Sequence, residues 1–202
     1  HTPTRRQRQM CIRDRDKEVS KKLFIKNKIK TPKFFTYSYD ITKSNLIKKI
    51  NKNLRFPVVI KPLNEGSSVN VYISSKKTLD KILYKLKVYK KVLIEEFIGG
   101  REIQVAIMGD KKLGAIELKP KRKFYDYQAK YDSKSKTQHI IPVDLPKSKF
   151  NKVMDIAYKA HKIIGCRGVT RSDFKFFNGN FYLLELNTQP GMTKLSLVPE
   201  IA

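Results

Sequence analysis

Cysteine is scarce in this chain, and long apolar runs are absent. The two cysteines, Cys11 and Cys166, are far apart in sequence and stand in unrelated contexts. This spacing indicates neither a disulfide framework nor a cysteine-ligated metal site, and it fits a reducing cytoplasm. No apolar run approaches the roughly 18 residues that a membrane-spanning helix needs, and the start of the chain lacks the pattern of a secretion signal. The sequence therefore predicts a cytoplasmic protein with no membrane partner.

Acidic residues are also scarce, because 18 Asp and Glu stand against 44 Lys and Arg, which gives a net charge of +26. Such an excess favours a polyanionic partner when the cations share one surface. Here the lysines are spread along the chain in pairs such as Lys21-Lys22, Lys48-Lys49 and Lys90-Lys91. We interpret most of them as a solvated surface and predict no nucleic-acid partner. A basic, non-enzymatic nucleic-acid-binding protein is the alternative from a different functional class.

Residues 1–15 differ from the rest of the chain. They carry clustered arginines and no apolar period, so we interpret them as a non-native or disordered leader and exclude them from the fold. A basic nucleic-acid arm is the competing interpretation. Beyond them, PVVIKP and VLIEEF are typical strands, a hairpin is predicted around Gly109-Asp110, and an amphipathic helix is predicted to end at Gly165.

The strand FYLLELN carries two candidate ligands. Glu185 and Asn187 are two residues apart and so project to one face, whereas Leu184 and Leu186 project to the other face. One face is therefore apolar, and the other carries oxygen atoms that can bind a cation.

Asp173, on the preceding strand, can join these ligands only in one hairpin register. A two-residue turn at Asn178-Gly179 would place Asp173 opposite Leu184. A three-residue loop, Asn178-Gly179-Asn180, would place Asp173 directly opposite Glu185. We predict the three-residue loop.

Asp173, Glu185 and Asn187 together form an oxygen donor set without cysteine or histidine. Such sets suit Mg²⁺, which binds one or two carboxylates together with water and phosphate oxygens. The alternative is that these polar side chains are simply exposed to solvent. Arg171, two residues before Asp173, and the turn that contains Gly191 favour a functional site.

The strand PVVIKP ends in Lys61 and is followed by the loop Glu65-Gly66-Ser67-Ser68. An apolar strand that ends in one lysine directs a fixed positive charge into a cleft. The loop glycine lets the backbone approach a ligand, and the hydroxyl and N–H groups can bind phosphate oxygens. The loop lacks the spacing of a P-loop, so taken alone it is a weak signal.

Four segments occur in an order that is known from an enzyme family. They are VVIKPLNEGSSV, VLIEEFIGGREIQVAI, FYDYQAKY and RSDF…FYLLELNTQPGMT…SLVP. Together they closely resemble the D-alanine–D-alanine ligases of the ATP-grasp superfamily, from about Asp16 to the last residue. The resemblance implies an α+β ATP-grasp fold, with the nucleotide between two α+β subdomains. Residues 16–97 would form the central (lid) subdomain, and residues 98–202 the C-terminal catalytic subdomain, truncated at its end.

The resemblance also implies a site for ATP. Lysines and the loop after Lys61 would contact the phosphates, while VLIEEF and the residues after it would hold the adenine and the ribose. The implied nucleotide-binding residues are Lys17, Lys61, Glu65, Ser67, Ser68, Glu95, Glu96, Ile98, Glu102 and Lys130.

The same resemblance assigns catalytic and substrate-binding residues. Ser67 would help to position the first D-alanine, and Arg171 is the candidate for the fixed positive charge that stabilises the tetrahedral oxyanion. The implied catalytic residues are Arg171, Ser67, Tyr131 and Lys130. Ser196 and Leu197, after the turn at Gly191, would hold the carboxylate of the second substrate.

The implied function is ATP-dependent ligation of two D-alanines through a D-alanyl phosphate, for the synthesis of peptidoglycan precursors. The cofactors would be ATP and Mg²⁺ (or Mn²⁺) held by Asp173, Glu185 and Asn187, and the intact protein would be a homodimer. We expect this chain to be a fragment that lacks an N-terminal domain, with peptide-bond formation impaired. Another ATP-grasp ligase, joining a different acid and amine, is the closer alternative.

Overall fold

A computed structural model describes residues 16–65, 69–119, 137–193 and 196–202. The leader predicted for residues 1–15 lies outside this range. None of the helices in the described part is long and apolar enough to cross a membrane. The helices are α1 (Lys17–Lys26), α2 (Lys43–Asn53), α3 (Leu79–Lys85), α4 (Lys147–Ile164) and α5 (Leu197–Ile201). The strands are β1 (Phe34–Ser38), β2 (Val58–Pro62), β3 (Tyr72–Ser74), β4 (Lys91–Glu96), β5 (Arg101–Met108), β6 (Lys111–Lys119), β7 (Gln138–Ile140), β8 (Val169–Phe177) and β9 (Asn180–Asn187).

The first sheet has the strand order β1-β4-β2-β3, with every neighbouring pair antiparallel. One face packs against α2 and α3 through a core that includes Ile50, Ile60 and Ile94. Because successive residues of a strand face opposite sides, Lys61 and Glu95 lie on the other face. The apolar β-branched residues of β2 and β4 therefore build the core while presenting two charged side chains to the opposite side.

The second sheet has the order β7-β6-β5-β8-β9 and is also antiparallel. The long helix α4 covers one face, where Val153 packs near Ile103. As predicted, α4 ends at Gly165, which has the left-handed φ of 85° that favours glycine. On the opposite face, Leu197 of α5 packs against Ala106.

Helix α1 and the segment after it connect the two sheets. The backbone N–H of Lys17 donates to the carbonyl of Leu63 beyond β2 (3.3 Å), and the N–H of Leu183 in β9 donates to the carbonyl of Lys30 (2.9 Å). Phe24 of α1 is fully buried in the core of the second sheet. These contacts place α1 beside both sheets, where its lysines can reach the space between them.

The loop of the β8–β9 hairpin is shorter than predicted. Asn178 and Gly179 form a two-residue turn, and Phe177 pairs with Asn180 across it. The φ angles of Asn178 and Gly179 are 46° and 72°, and a type I′ hairpin turn needs positive φ at both positions. The prediction of a three-residue loop was wrong, because an Asn-Gly pair already matches the twist of the two strands.

A β-bulge restores the pairing that the longer loop was meant to provide. Asp173 pairs with Glu185, whereas its neighbour Phe174 pairs with Leu183. Leu184 is therefore the extra residue of a bulge, and it lines a cavity together with Glu185. The predicted pairing of Asp173 with Glu185 is confirmed, but the predicted orientation of Leu184, away from Glu185, is wrong.

Candidate nucleotide-binding site

A cavity lies between the two sheets, on the side of the first sheet that carries Lys61 and Glu95. Its lining includes three lysines, Lys17, Lys61 and Lys175. Six of the 18 acidic residues of the chain also line it, and they are Glu65, Glu95, Glu96, Glu102, Asp173 and Glu185. Acidic side chains therefore outnumber lysines in the described lining of this cavity, although the chain carries a net charge of +26.

A second cavity adjoins the first and shares Lys17, Glu65 and Glu185 with it. Lys21 and Asn187 also line this second cavity. Residues of α1, of the end of β2 and of the end of β9 line the two cavities, so these three elements lie close together.

A buried carboxylate binds two lysines beside the first cavity. Glu95 is 3% exposed, and its oxygens lie 2.5 Å from Lys61 Nζ and 2.9 Å from Lys21 Nζ. Burial alone would raise the pKa of Glu95, but the two ammonium groups outweigh burial and lower it. Burial lowers the pKa of Lys21 to about 8, although the charge of Glu95 opposes the shift. The interpretation of Lys21 as part of a solvated surface was wrong, because its side chain is enclosed between α1 and the first sheet.

Lys17 reaches the cavity from the first turn of α1. Its ammonium donates to the carbonyl oxygen of Glu65 and lies 3.5 Å from that of Leu63. Burial lowers the pKa of Lys17, and the nearby carboxylate of Glu185 opposes this shift. The carboxylate of Glu65 accepts a hydrogen bond of 3.2 Å from the hydroxyl of Tyr89. Lys17 and Glu65 are thus held at the start of the predicted phosphate-binding loop.

The second sheet brings the predicted metal ligands to one face. The guanidinium of Arg171 donates two hydrogen bonds to the carboxylate of Asp173, of 2.8 and 3.0 Å. The amide of Asn187 lies 3.5 Å from the same carboxylate, and Glu185 stands directly across the strands from Asp173. Asp173, Glu185 and Asn187 are therefore neighbours, as their pairing predicts.

This donor set fits Mg²⁺ when other oxygens complete the coordination. In the described ranges, no three Asp, Glu, His or Cys side chains form a cluster that could hold a metal ion by itself. Mg²⁺ usually binds one or two carboxylates and takes its remaining ligands from water and phosphates. Asp173 and Glu185 supply two carboxylates, and Arg171 already pairs with one of them. The residues therefore suit a cation that arrives together with a phosphate group.

The segment between β4 and β5 joins the sheets and contains the predicted boundary between residues 97 and 98. Glu96 and Ile98 line the cavity in this segment. Glu102, at the start of β5, forms an ion pair of 3.0 Å with Lys175 of β8, and both side chains line the cavity. The residues predicted to hold adenine and ribose therefore share one wall.

One of the residues predicted to bind the second substrate, Leu197, lies on the face of the second sheet that carries Arg171. Leu197 packs against Ala106, whose cross-strand partner is Arg171. Ser196 comes just before α5, and its hydroxyl would lie 2.7 Å from a Cβ placed on Gly191. Among the described residues that line the two cavities, Gly191, Ser196 and Leu197 do not appear.

A protein-family model decides which family the chain belongs to. Residues 23–202 match the model described as D-ala D-ala ligase C-terminus, so the match covers most of the sequence. The chain belongs to this family. The resemblance that the four sequence segments indicated is confirmed.

Individual members of this D-alanine–D-alanine ligase family agree with the match. The D-alanine–D-alanine ligase of Pelagibacter ubique (strain HTCC1062) is 69% identical over 187 residues, which are 93% of this chain and 62% of that protein. A crystal structure of the Bacillus anthracis ligase has 32% identity and a TM-score of 0.77, over 92% of this chain and 60% of that one. A second structure of that ligase, complexed with ATP, has 28% identity and a TM-score of 0.74, over 92% and 58%.

The similarity to these ligases establishes the fold of the chain and shows how much of their length it covers. The α+β ATP-grasp fold that the resemblance predicted is confirmed by the structural likeness. The chain spans about 60% of the length of the relatives that it matches.

Four of the residues assigned through the family resemblance lie outside the described part of the chain. They are Ser67 and Ser68 of the loop after β2, and Lys130 and Tyr131 between β6 and β7.

Three residues of the site were missed in the sequence. Lys21 follows Lys17 by one helical turn, and Lys175 follows Asp173 by two residues on a strand, so both spacings predict a shared face. These two signals could have identified the lysines. Leu184 offers no comparable signal, because its place in the cavity depends on the bulge.

Proposed function

We propose that this chain carries the nucleotide site of an ATP-dependent ligase that joins two D-alanines. The observation that supports this most strongly is an acidic cavity within a basic protein. The carboxylates disfavour a nucleotide that arrives without a cation. A Mg²⁺-nucleotide complex brings both the cation that Asp173 and Glu185 can hold and the phosphates that Lys17 and Lys61 can bind. The similar Bacillus anthracis ligase complexed with ATP supports the choice of nucleotide.

The positions of the side chains support the roles proposed for them. Asp173, Glu185 and Asn187 would hold Mg²⁺ or Mn²⁺, which when bound would neutralise charge on the phosphates. Lys17 and Lys61 would donate hydrogen bonds to phosphate oxygens from the other side of the cavity. Since both lysines are held by buried or backbone partners, their charges are pre-oriented before the nucleotide binds.

The bond-forming steps would take place at the face of the second sheet that carries Arg171. A carboxylate oxygen of the first D-alanine would attack the γ-phosphorus and release ADP, which gives a D-alanyl phosphate. The amine of the second D-alanine would then attack the carbonyl carbon and expel phosphate. Arg171 would stabilise the oxyanion of this second step, and its two hydrogen bonds to Asp173 hold the guanidinium in one orientation.

The wider assignment is proposed by analogy with the family. The product would serve peptidoglycan synthesis in the cytoplasm, and the whole protein would be a homodimer that binds ATP and D-alanine. No nucleic acid or membrane is proposed as a partner. The acidic lining of the cavity supports a small, cation-bound ligand over a nucleic acid.

Calorimetric titration tests the nucleotide site. Mg²⁺ and a non-hydrolysable ATP analogue are titrated into the unaltered chain, Glu185→Gln and the control Asp155→Asn. Asp155 is exposed on α4, away from the cavity, and pairs with Lys112. Glu185→Gln and Asp155→Asn each remove one negative charge, so they differ in position and not in charge. We expect binding to weaken on the order of ten-fold or more in Glu185→Gln, because a metal ligand is lost, and to stay unchanged in Asp155→Asn. Equal weakening of analogue binding in both variants would contradict the proposal, and so would unchanged binding in Glu185→Gln.

The identity of the substrate is tested by ADP release. D-alanine, L-alanine, D-lactate and D-serine are each added with ATP and Mg²⁺. We expect ADP release from this chain to be slow, and any stimulation to be specific for D-alanine. Stimulation by L-alanine, D-lactate or D-serine, but not by D-alanine, would indicate a different ligase of the same fold.

A further inference from the structure

A lysine without an assigned role in the proposed mechanism is buried beside the nucleotide site. Lys21 is 1% exposed and lies one turn after Lys17 on α1. Its Nζ donates to Thr31 Oγ1 (2.6 Å) and lies 2.9 Å from one carboxylate oxygen of Glu95. The other oxygen of Glu95 lies 2.5 Å from Lys61 Nζ. One carboxylate therefore serves two ammonium groups.

The charges in this group do not balance. Within the trio of Lys21, Glu95 and Lys61, one carboxylate lies between two ammonium groups, so the trio carries a net charge of +1. Glu185 is a further carboxylate whose charge acts on Lys21. Because Lys61 lines the cavity, the net positive charge of this trio lies where an anionic ligand can reach it, next to the carboxylates of the opposite wall.

We propose that Lys21 is a positioning residue that acts through Glu95 on Lys61. By engaging one oxygen of Glu95, Lys21 keeps that carboxylate from neutralising Lys61 completely. Lys61 therefore retains net positive charge for the phosphates of a nucleotide. Without Lys21, Glu95 and Lys61 form a neutral pair. The inference rests on the proposed nucleotide site and adds to it a residue that shares the carboxylate of Glu95 with the phosphate-binding lysine.

Matched variants separate this role from a structural one. Binding of Mg²⁺ with adenylyl imidodiphosphate is measured by calorimetry at neutral pH on the unaltered chain, Lys21→Met, the double variant Lys21→Met with Glu95→Gln, and Lys22→Met. Lys22 is the adjacent lysine, and its side chain is 67% exposed and pairs with Glu18. Lys21→Met keeps the apolar stem and leaves Glu95 paired with Lys61, so the fold should be retained. Thermal denaturation checks this, and Lys21→Gln replaces Lys21→Met if the methionine variant does not fold.

We expect Lys21→Met to bind the analogue about ten-fold more weakly, since a unit charge close to the phosphates is removed in a medium of intermediate polarity. The double variant should recover most of this loss, because a glutamine at position 95 cannot neutralise Lys61. Lys22→Met should match the unaltered chain. Loss of a merely structural contact would not be repaired by removing a second buried partner.

Two results overturn the role of Lys21 and leave the nucleotide site intact. They are equal binding by the unaltered chain and Lys21→Met, and no recovery in the double variant. Absence of binding by the unaltered chain overturns the nucleotide site itself, and with it the role of Lys21.

Discussion

Lys21 loses its proton more readily in the folded protein than an exposed lysine does. Burial lowers its pKa from 10.5 to about 8, even though the neighbouring Glu95 and Glu185 oppose the shift and Lys61 adds to it. Between these two pH values the unfolded chain binds more protons than the folded one. The free energy of unfolding contributed by Lys21 therefore rises with pH in this window. Below about pH 8 the full cost of burying the charged ammonium is present.

This dependence can be isolated with the same two lysine variants. We expect the free energy of unfolding of the unaltered chain, relative to that of Lys21→Met, to rise as the pH increases from about 8 to about 10. The difference from Lys22→Met should stay nearly constant, because Lys22 is exposed. Urea denaturation followed by circular dichroism measures these differences. A difference from Lys21→Met that falls with pH would show that the ion pair with Glu95, and not burial, dominates.

Gln104 is the second residue with an unusual environment. It is fully buried on β5, and within the described residues neither atom of its amide group has a hydrogen-bond partner. Burying an unsatisfied polar group costs about 1–3 kcal/mol. We expect Gln104→Met, which has a similar shape, to raise the free energy of unfolding by about 1 kcal/mol or more.

The control for this prediction is Gln138→Met on β7. Gln138 is exposed, so its amide is solvated and its replacement should change stability by less than about 0.5 kcal/mol. Urea denaturation of both variants gives the comparison. A loss of stability in Gln104→Met would mean that the amide of Gln104 has a partner that stabilises the folded chain.

At the scale of elements, the segment between β4 and β5 requires glycine at one of its two glycine positions. Gly100 has a φ of 84°, and a Cβ at this position would overlap the carbonyl oxygen of Phe176. Gly99 has ordinary space, since its Cβ would lie 3.9 Å from a ring carbon of Phe177. The two neighbouring glycines therefore differ in both conformation and contacts.

We expect Gly100→Ala to lower the free energy of unfolding by about 2 kcal/mol or more, because a left-handed backbone and a steric overlap both oppose the methyl group. Gly99→Ala should leave stability unchanged or raise it by about 0.5 kcal/mol. Thermal denaturation of the two variants measures the contrast. Equal changes in stability at both positions would show that the backbone of the segment between β4 and β5 can adjust to a methyl group. The conformation of this segment would then be less constrained than its geometry indicates.

Local signals in the sequence were sufficient for most elements. The strands β2 and β4, the hairpin at Gly109-Asp110 and the end of α4 at Gly165 follow from periodicity and turn residues. The β8–β9 hairpin marks the limit of such signals. Its Asn178-Gly179 turn is local, but the bulge at Leu184 depends on how two whole strands pair. The pairing of Asp173 with Glu185 was therefore predicted correctly, but from a loop length that is wrong.

The buried ion pairs of the site show a similar limit. Spacing on α1 places Lys21 on the same side as Lys17, but its burial depends on Glu95, which comes from a strand more than seventy residues later. In a chain with 44 Lys and Arg, composition favours a solvated position for any one lysine. The contacts of Lys21 with Glu95 and Thr31, which only the folded chain brings together, distinguish it from its neighbours.

At the scale of the whole molecule, the two signs of charge are distributed differently. The chain carries +26, yet six of its 18 acidic residues line one cavity. A basic surface attracts polyanions through counterion release, which makes their binding fall steeply with salt. Under the proposed function, the acidic cavity instead binds an anion together with a divalent cation. The proposed function therefore predicts two physically distinct ways of binding anions.

This difference predicts that nucleotide binding depends on Mg²⁺ and is insensitive to competing polyanions. We expect chelation of Mg²⁺ to weaken binding of the ATP analogue on the order of ten-fold or more, and excess heparin not to displace it. Between about 50 mM and about 200 mM salt, heparin affinity should fall steeply, whereas analogue affinity should change modestly. Calorimetry with and without heparin measures both. Displacement of the analogue by heparin, with equally steep salt dependence, would mean that surface lysines collect the nucleotide and that the cavity does not bind it.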